Sequence, residues 1–179
     1  MKENLPINEI NLGMSEKILE LAKIDQEMRK TNVGKDFNED KWIEVDSNNT
    51  KHLKEIIEKI GWPTVSKVGK EASEAAWLIA QHADLDVEFQ KQCLELMKKE
   101  SPDDVSEIDI AYLHDRICVN EDKPQFFGTQ FYTNEYGSYG PRPIENPESV
   151  DERRKSIGLE TLDEYKKHLE KKYIGYPEK

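Results

Sequence analysis

The stretch from Gly61 to Met97 constrains the fold more than any other part of this sequence. It opens with Gly-Trp-Pro-Thr, where Pro63 prevents a preceding helix from continuing. Residues 66–83 then repeat apolar or small side chains at helical spacing. They form two stripes, which are Val68, Ala72, Ala75, Ile79 and His82, and Gly69, Ser73, Ala76 and Ala80. Because a helix that is apolar or small on most sides has to be surrounded by other elements, we predict a central helix here.

The charge of the chain limits its partners. Its 179 residues include 26 basic and 37 acidic side chains, which gives a net charge of -11. A field of that sign disfavours binding to nucleic-acid phosphates and anionic lipid, and it attracts cationic proteins. We therefore expect no nucleic-acid partner and no membrane partner, whereas a basic protein partner fits the charge.

Several features predict a cytoplasmic location. No apolar run approaches the about 18 residues that a membrane-spanning helix needs. The first 13 residues are polar and lack the apolar core of a signal peptide. The two cysteines, Cys93 and Cys118, each fall in an apolar helical pattern. Buried thiols fit a reducing compartment better than a disulfide framework does.

Sixty residues precede the central stretch. In chain order we predict an extended lead-in over residues 1–13, a helix over residues 15–31, a segment without helical period over residues 35–49, and a helix over residues 49–60. The inward side of the first helix is Ile18, Leu21, Ile24 and Met28. Ile43 and Val45 alternate with acidic residues, which allows a short strand in the third segment. Gly61 is predicted to end the second helix in a left-handed conformation.

The remaining chain predicts more helices and one hairpin. The helices cover residues 86–99, 104–120, 147–157 and 161–173. Residues 125–132 are aromatic and favour a strand, and Pro141 and Pro143 keep the following segment extended, so residues 125–144 predict a β-hairpin. The fold class is mainly α, a compact helical bundle with a short β-hairpin near the C-terminal third. We expect a single domain over residues 1–179, made of the lead-in (1–13), a helical core (14–120), an aromatic hairpin or loop (121–146) and C-terminal helices (147–179).

A set of short motifs resembles a known family. They are Gly-Trp-Pro-Thr (61–64), Ala-Ala-Trp-Leu (75–78), Gln-His-Ala-Asp (81–84), Phe-Gln (89–90), Tyr-Leu-His-Asp-Arg (112–116), Gln125, Gly-Thr-Gln (128–130), Pro-Arg-Pro-Ile (141–144) and Asp-Glu-Arg-Arg (151–154). Together they resemble a family of uncharacterised bacterial proteins catalogued as a domain of unknown function. The resemblance covers residues 61–165 and implies a bacterial or phage origin. It implies no activity and no catalytic residues.

His82 is the candidate catalytic residue. It shares a stripe with Ala75 and Ile79, so it faces inward near the C-terminus of a helix. The helix dipole favours its protonated form there, and burial opposes it. A histidine so placed suits a general acid or base near neutral pH. The alternative interpretation is a core histidine bonded to a backbone carbonyl.

Other titratable residues are weaker candidates. Asp84 lies just past the central helix, where a cap or turn residue is the simpler interpretation. His114 and Asp115 offer a second imidazole and a carboxylate. A metal site would need these groups to converge with His82, and the sequence has no metal-ligand spacing. We therefore predict no metal, and with no phosphate-binding glycine loop we predict no cofactor.

The candidate ligand-binding residues are Trp62, Gln81, Arg116, Gln125, Gln130, Arg142 and Arg153. Gln125 and Gln130, with Thr129, form an uncharged polar set among aromatic residues, as at a ligand-reading edge. An ordinary edge strand is the alternative. Arg142 stands between two prolines, which lowers the entropy lost when it holds an anion. The alternative for the arginines is ion pairing with nearby carboxylates.

Two classes of function fit these residues. One is a small-molecule site for a polar or anionic ligand, either as a hydrolase or transferase with His82 as acid or base, or as a protein that sequesters a phosphorylated ligand. The other is an acidic inhibitor or immunity-type protein that covers a basic partner. The two classes differ in whether His82 is needed.

Overall fold

The computed structural model describes residues 10–32 and 37–173. Most of the predicted lead-in, the start of the segment at residue 35, and the polar tail after residue 173 lie outside these described residues. The chain divides into two compact units, Met1–Val105 and Ser106–Lys179. The single-domain organisation stays a prediction.

The first unit is a bundle of helices. In order they are α1 (Leu12–Thr31), α2 (Glu39–Ile60), α3 (Val65–Val68), α4 (Lys70–Gln81) and α5 (Val87–Met97). A side chain before each long outer helix accepts a hydrogen bond from an otherwise unpaired amide, which fixes where the helix begins. Asn11 accepts from Met14 N at 3.1 Å, Asn38 from Lys41 N at 3.0 Å, and Asp86 from Phe89 N at 3.0 Å.

Helix α4 is the centre of this unit. It packs against α1, α2, α3 and α5. Its small residues allow that close approach, since Ala76 and Ala80 have no exposed surface. The predicted central helix is confirmed. Its predicted start is corrected, because Gly69 has φ +82° and separates α3 from α4.

The prediction for the segment before residue 49 is wrong, because α2 begins earlier than predicted. The sequence predicts no helical period over residues 39–49, but these residues form the first half of α2. The inward face of this half is polar, with Asp46, Asn49 and Thr50 buried. A polar inward face gives no apolar period, so the sequence pattern does not indicate a helix over these residues. The predicted end at Gly61 is confirmed, with φ +70° and its N–H bonded to Ile57 O at 2.9 Å.

The second unit combines helices with a hairpin. Its elements are α6 (Glu107–Asn120), β1 (Phe131–Thr133), β2 (Tyr139–Pro141), a 3-10 turn (Pro147–Ser149), α7 (Val150–Ser156) and α8 (Leu162–Tyr173). The strands are antiparallel, with Tyr132 opposite Gly140. The predicted mainly α fold with a short hairpin is confirmed. The first strand is shorter than predicted, because residues 125–130 form a loop ahead of it.

Gly128 gives a test of packing in the second unit. It has φ +70°, and a Cβ there would lie 2.9 Å from both Ile144 Cδ1 and Leu162 Cδ1. Gly128→Ala should lower the free energy of unfolding by about 2–4 kcal/mol, from backbone strain and crowding together. Gly137→Ala is the matched control, since Gly137 has φ +77° and nothing within 4 Å of a Cβ. It should cost about 1 kcal/mol. Equal losses in urea denaturation would show that crowding contributes nothing.

Candidate functional site

His82 lies at the end of α4, where it forms the C-terminal cap. Its backbone N–H bonds to Leu78 O at 3.1 Å and to Ile79 O at 3.2 Å. Its side chain is 20% exposed. The ring is thus anchored at the end of the central helix but still reaches solvent.

A buried carboxylate from α1 holds the imidazole. Both carboxylate oxygens of Asp25 lie close to Nδ1 of His82, Oδ1 at 2.9 Å and Oδ2 at 3.0 Å. Asp25 is 1% exposed. It occupies an inward position of α1 between Leu21 and Met28, whereas Ile24, predicted to face inward, is 41% exposed.

Arg29 extends this pair to a second carboxylate. It stands one turn after Asp25, and its Nε lies 3.1 Å from Asp25 Oδ1. Its Nη2 donates to Oδ1 of Asp46, on α2, at 2.7 Å. Asp46 is 3% exposed. Helices α1, α2 and α4 therefore each contribute to one cluster, which we call the histidine cluster: Asp25, Arg29, Asp46 and His82.

The contacts of the cluster fix the His82 tautomer. Nδ1 lies near the Asp25 carboxylate, which only accepts, and 3.0 Å from Arg29 Nε, which only donates. Arg29 Nε can donate to Asp25 Oδ1 instead, and a hydrogen bond to a carboxylate is the stronger one. A proton on Nδ1 satisfies all three groups, so we assign it there. In the neutral ring the lone pair is then on Nε2, which makes no hydrogen bond to any residue in 10–32 or 37–173.

The two carboxylates of the cluster differ in proton affinity. Burial alone would raise the pKa of Asp25, but the hydrogen bond and charge of His82 and the charge of Arg29 together outweigh it and hold that pKa below its usual range. Burial raises the pKa of Asp46, and Arg29 offsets this only in part. Opposite shifts in neighbouring acids are typical of sites that do acid–base chemistry.

Of these four residues, the sequence predicts only His82 as part of a site. Asp25 and Arg29 lie in a helix whose predicted inward side is apolar, and Asp46 lies in a segment for which no helix is predicted. Asp25 does have a signature in the sequence, because it is a charged residue at an inward position between Leu21 and Met28. Buried charges are rare unless they are paired, so such a position marks a partner elsewhere in the fold.

Two predicted ligand-binding residues of the first unit are buried. Trp62 is 1% exposed, and its carbonyl accepts from Lys67 Nζ at 2.9 Å. Little of its surface is left for the predicted ligand contact. Gln81 is 7% exposed, and its carbonyl accepts from Gln90 Nε2 at 3.2 Å. The Gln81 side-chain nitrogen has no hydrogen-bond partner within the described chain.

In the second unit, a buried carboxylate organises the loop over residues 125–130. Asp115, on α6, has no exposed surface. It accepts backbone hydrogen bonds from Phe126, Phe127 and Thr129 at 2.7–3.1 Å, and one from the Thr129 hydroxyl at 3.0 Å. A carboxylate that gathers several amides fixes the backbone around it. Asp115 therefore shapes this loop.

Gln125, Gln130 and Arg116 converge on the same loop. Gln125 has no exposed surface, and its Nε2 donates to the carbonyls of Gln130 and Arg142, both at 2.9 Å. Its Oε1 accepts from Gln130 N at 2.8 Å. Arg116 Nη1 donates to Gln130 Oε1 at 3.2 Å. Gln125 thus binds backbone, and the polar set predicted from sequence is brought together.

Two arginines of this unit donate hydrogen bonds to backbone carbonyls, and a third has an exposed side chain. Arg153 donates to the carbonyls of Phe126, Glu145 and Asn146. Arg154, absent from the predicted site, is fully buried and donates to Phe127 O at 2.8 Å. Arg142 is exposed, and its guanidinium lies 4.5 Å from the centre of the Tyr132 ring.

The structure therefore gathers five predicted residues in the second unit. They are Arg116, Gln125, Gln130, Arg142 and Arg153. His82, Gln81 and Trp62 belong to the first unit. That all of them line one cavity stays a prediction.

Two features are absent from the part of the chain that the structure describes. No group of three or more His, Cys, Asp or Glu side chains in residues 10–32 and 37–173 is arranged to hold a metal ion. No helix in the same part of the chain combines the length and apolar character required to cross a membrane.

Comparison with known protein families assigns the chain to a family. The model of a family described as a family of unknown function, DUF6624, matches residues 13–176. The chain belongs to this family. No curated protein and no solved structure matches the chain. The expected membership of a family of unknown function is confirmed, and the match extends to α1 and α2, outside the motifs that suggested it. The bacterial or phage origin stays a prediction.

His114 gives a pH-dependent test of the second unit. Its pKa is raised to about 9, first by the Asp115 carboxylate, whose Oδ1 lies 3.6 Å from Nδ1, and then by Cys118, against the effect of burial. A folded-state pKa above the unfolded value of about 6.5 stabilises the fold fully below pH 6.5. That stabilisation is lost as the pH rises to about 9.

We therefore expect His114→Gln to reduce the decline in unfolding free energy between pH 6.5 and 9.5. Urea denaturation at several pH values measures it. His168→Gln, which replaces a largely exposed histidine of α8, should retain the decline. If both variants follow the wild-type pH profile, His114 does not carry the stabilising proton.

Proposed function

We propose that the chain is an enzyme of the hydrolase or transferase class that acts on a small polar ligand, with His82 as the general acid or base. The observation that carries this proposal is the pairing of His82 Nδ1 with both oxygens of Asp25, at 2.9 and 3.0 Å, in a ring that is 20% exposed. Asp25 is the positioning residue. It holds the tautomer in which Nε2 can take a proton from a substrate hydroxyl or a water molecule.

The arrangement follows a known physical pattern. A carboxylate at Nδ1 both orients the imidazole and stabilises the imidazolium that forms during proton transfer. The folded chain supports the charged form without further rearrangement, because Asp25 is already ionised and buried. General acid–base catalysis of this kind contributes about 10²–10⁴-fold to a rate.

A second candidate function is sequestration of an anionic or phosphorylated ligand. It is favoured by Arg142, which is exposed, lies 4.5 Å from the centre of the Tyr132 ring and makes no ion pair with another described residue. A planar, always charged guanidinium suits phosphate and carboxylate groups. In this alternative the ligand is bound without turnover. An acidic inhibitor or immunity-type protein, which would use the net charge of -11, requires neither His82 nor Arg142.

We also propose a cytoplasmic location. Cys93 is buried and Cys118 is half-buried, and both are free thiols. Unpaired cysteines are typical of proteins kept in a reducing compartment.

The test of the enzymatic proposal compares His82→Gln with a matched histidine variant. Purified protein is incubated with a panel of nitrophenyl esters and phosphate esters and with a metabolite extract, and products are followed by absorbance and mass spectrometry. We expect His82→Gln to lower turnover by about 100-fold or more, and Asp25→Asn to lower it as well. His52→Gln, on α2, should leave turnover unchanged.

The competing functions give different results. Binding of a phosphorylated compound that survives His82→Gln but is lost in Arg142→Gln, without turnover in any variant, would support sequestration instead. Capture of a basic protein by wild type and both variants alike would support the interaction protein. Turnover by His82→Gln at the wild-type rate would contradict the catalytic role of His82.

A further inference from the structure

Two buried acceptors on α2 have no donor. Asp46 accepts from Arg29 through Oδ1, but its Oδ2 has no hydrogen-bond partner in the described chain. Asn49 donates from Nδ2 to Leu21 O at 3.2 Å, and its Oδ1 likewise has no partner there. Asp46 is 3% exposed and Asn49 is 2% exposed. Neither side chain is therefore open to bulk solvent.

The position of these atoms suggests how they are satisfied. Residues three apart in a helix lie on the same face, so Asp46 and Asn49 are neighbours on the inward side of α2. An acceptor that is left unpaired in the protein interior costs free energy, and here there are two such acceptors on neighbouring residues. An amide oxygen cannot become a donor, whereas a carboxyl group becomes one when it takes up a proton.

The charge balance of the histidine cluster also favours an extra proton on Asp46. Arg29 is one cation between the two carboxylates of Asp25 and Asp46. With a neutral His82, these three groups have an excess of one negative charge, and one added proton makes the cluster neutral. The groups that face Asp46 are Arg29 and Asp25 from α1 and His82 from α4. A proton on His82 would also balance the charge, but it would leave Asp46 Oδ2 and Asn49 Oδ1 without a donor. Only a proton on Asp46 solves both problems.

We infer that Asp46 retains a proton on Oδ2 in the folded protein and donates it to Oδ1 of Asn49. The direction of its pKa shift, raised by burial, agrees with this geometry. The charges of Asp25 and Arg29 then balance each other. This proton on Asp46 does not depend on the proposed function of His82.

The direct test observes the carboxyl group of Asp46 in the full chain. The protein is labelled with ¹³C at the aspartate carboxyl carbon, and the Asp46 signal is assigned by its loss in Asp46→Asn. We expect the signal at pH 6 to have the position of a protonated carboxyl. A signal that is ionised at pH 6 and titrates near the unfolded value of about 3.9 would overturn the inference.

Two isosteric variants give an independent measurement. Asp46→Asn places an N–H donor where we infer the O–H, so the melting temperature at pH 6 should change by no more than about 2 °C. Asp25→Asn removes an ionised acceptor, and it should lower the melting temperature by about 5 °C or more. An equal loss in both variants would contradict a protonated Asp46.

The two proposals fail separately. If His82→Gln keeps full turnover while the Asp46 signal is protonated, the proposed function fails and the proton assignment stands. If His82→Gln loses turnover while Asp46 is ionised at pH 6, the inference about Asp46 fails and the proposed function stands.

Discussion

The first unit depends on a charge that is buried between helices. Asp25 is 1% exposed, and removing a carboxylate from water is unfavourable unless donors replace the lost solvation. His82 and Arg29 replace it, at 2.9 and 3.1 Å. Since His82 ends α4 and Arg29 reaches across to α2, the three helices are joined at the same point. Breaking a buried pair of this kind typically costs about 3–5 kcal/mol.

The second unit also contains a buried carboxylate, which holds a loop and does not join helices. Asp115 is also fully buried, but its partners are the amides of residues 126, 127 and 129 together with a hydroxyl. Arg154 accompanies it from α7 and binds the carbonyl of Phe127. A carboxylate that binds amides and a guanidinium that binds carbonyls together hold a loop in one shape. Asp25 differs in that it makes its hydrogen bonds to side chains, and its bond to His82 Nδ1 can also move a proton.

The sequence predicts the apolar part of this structure well and the polar part poorly. The small-residue stripe of α4 and Gly61 at the end of α2 have direct physical signatures, and both are confirmed. Helix α2 was missed over its first half because Asp46 and Asn49 replace apolar residues on the inward face. Of these two polar residues, Asp46 is a member of the histidine cluster. His82 was identified from its position on a stripe, but Asp25 is 57 residues away in sequence, and no periodicity links two helices that meet only in the fold.

The central claim is that Asp25 orients His82, and the tautomer of His82 tests it most directly. Long-range ¹H–¹⁵N NMR of the imidazole, at a pH where the ring is neutral, distinguishes the two nitrogens. The account predicts a proton on Nδ1 and a bare Nε2 in the wild type, with this preference weakened in Asp25→Asn. A proton on Nε2, or a mixture of tautomers like that of a free histidine, would contradict it.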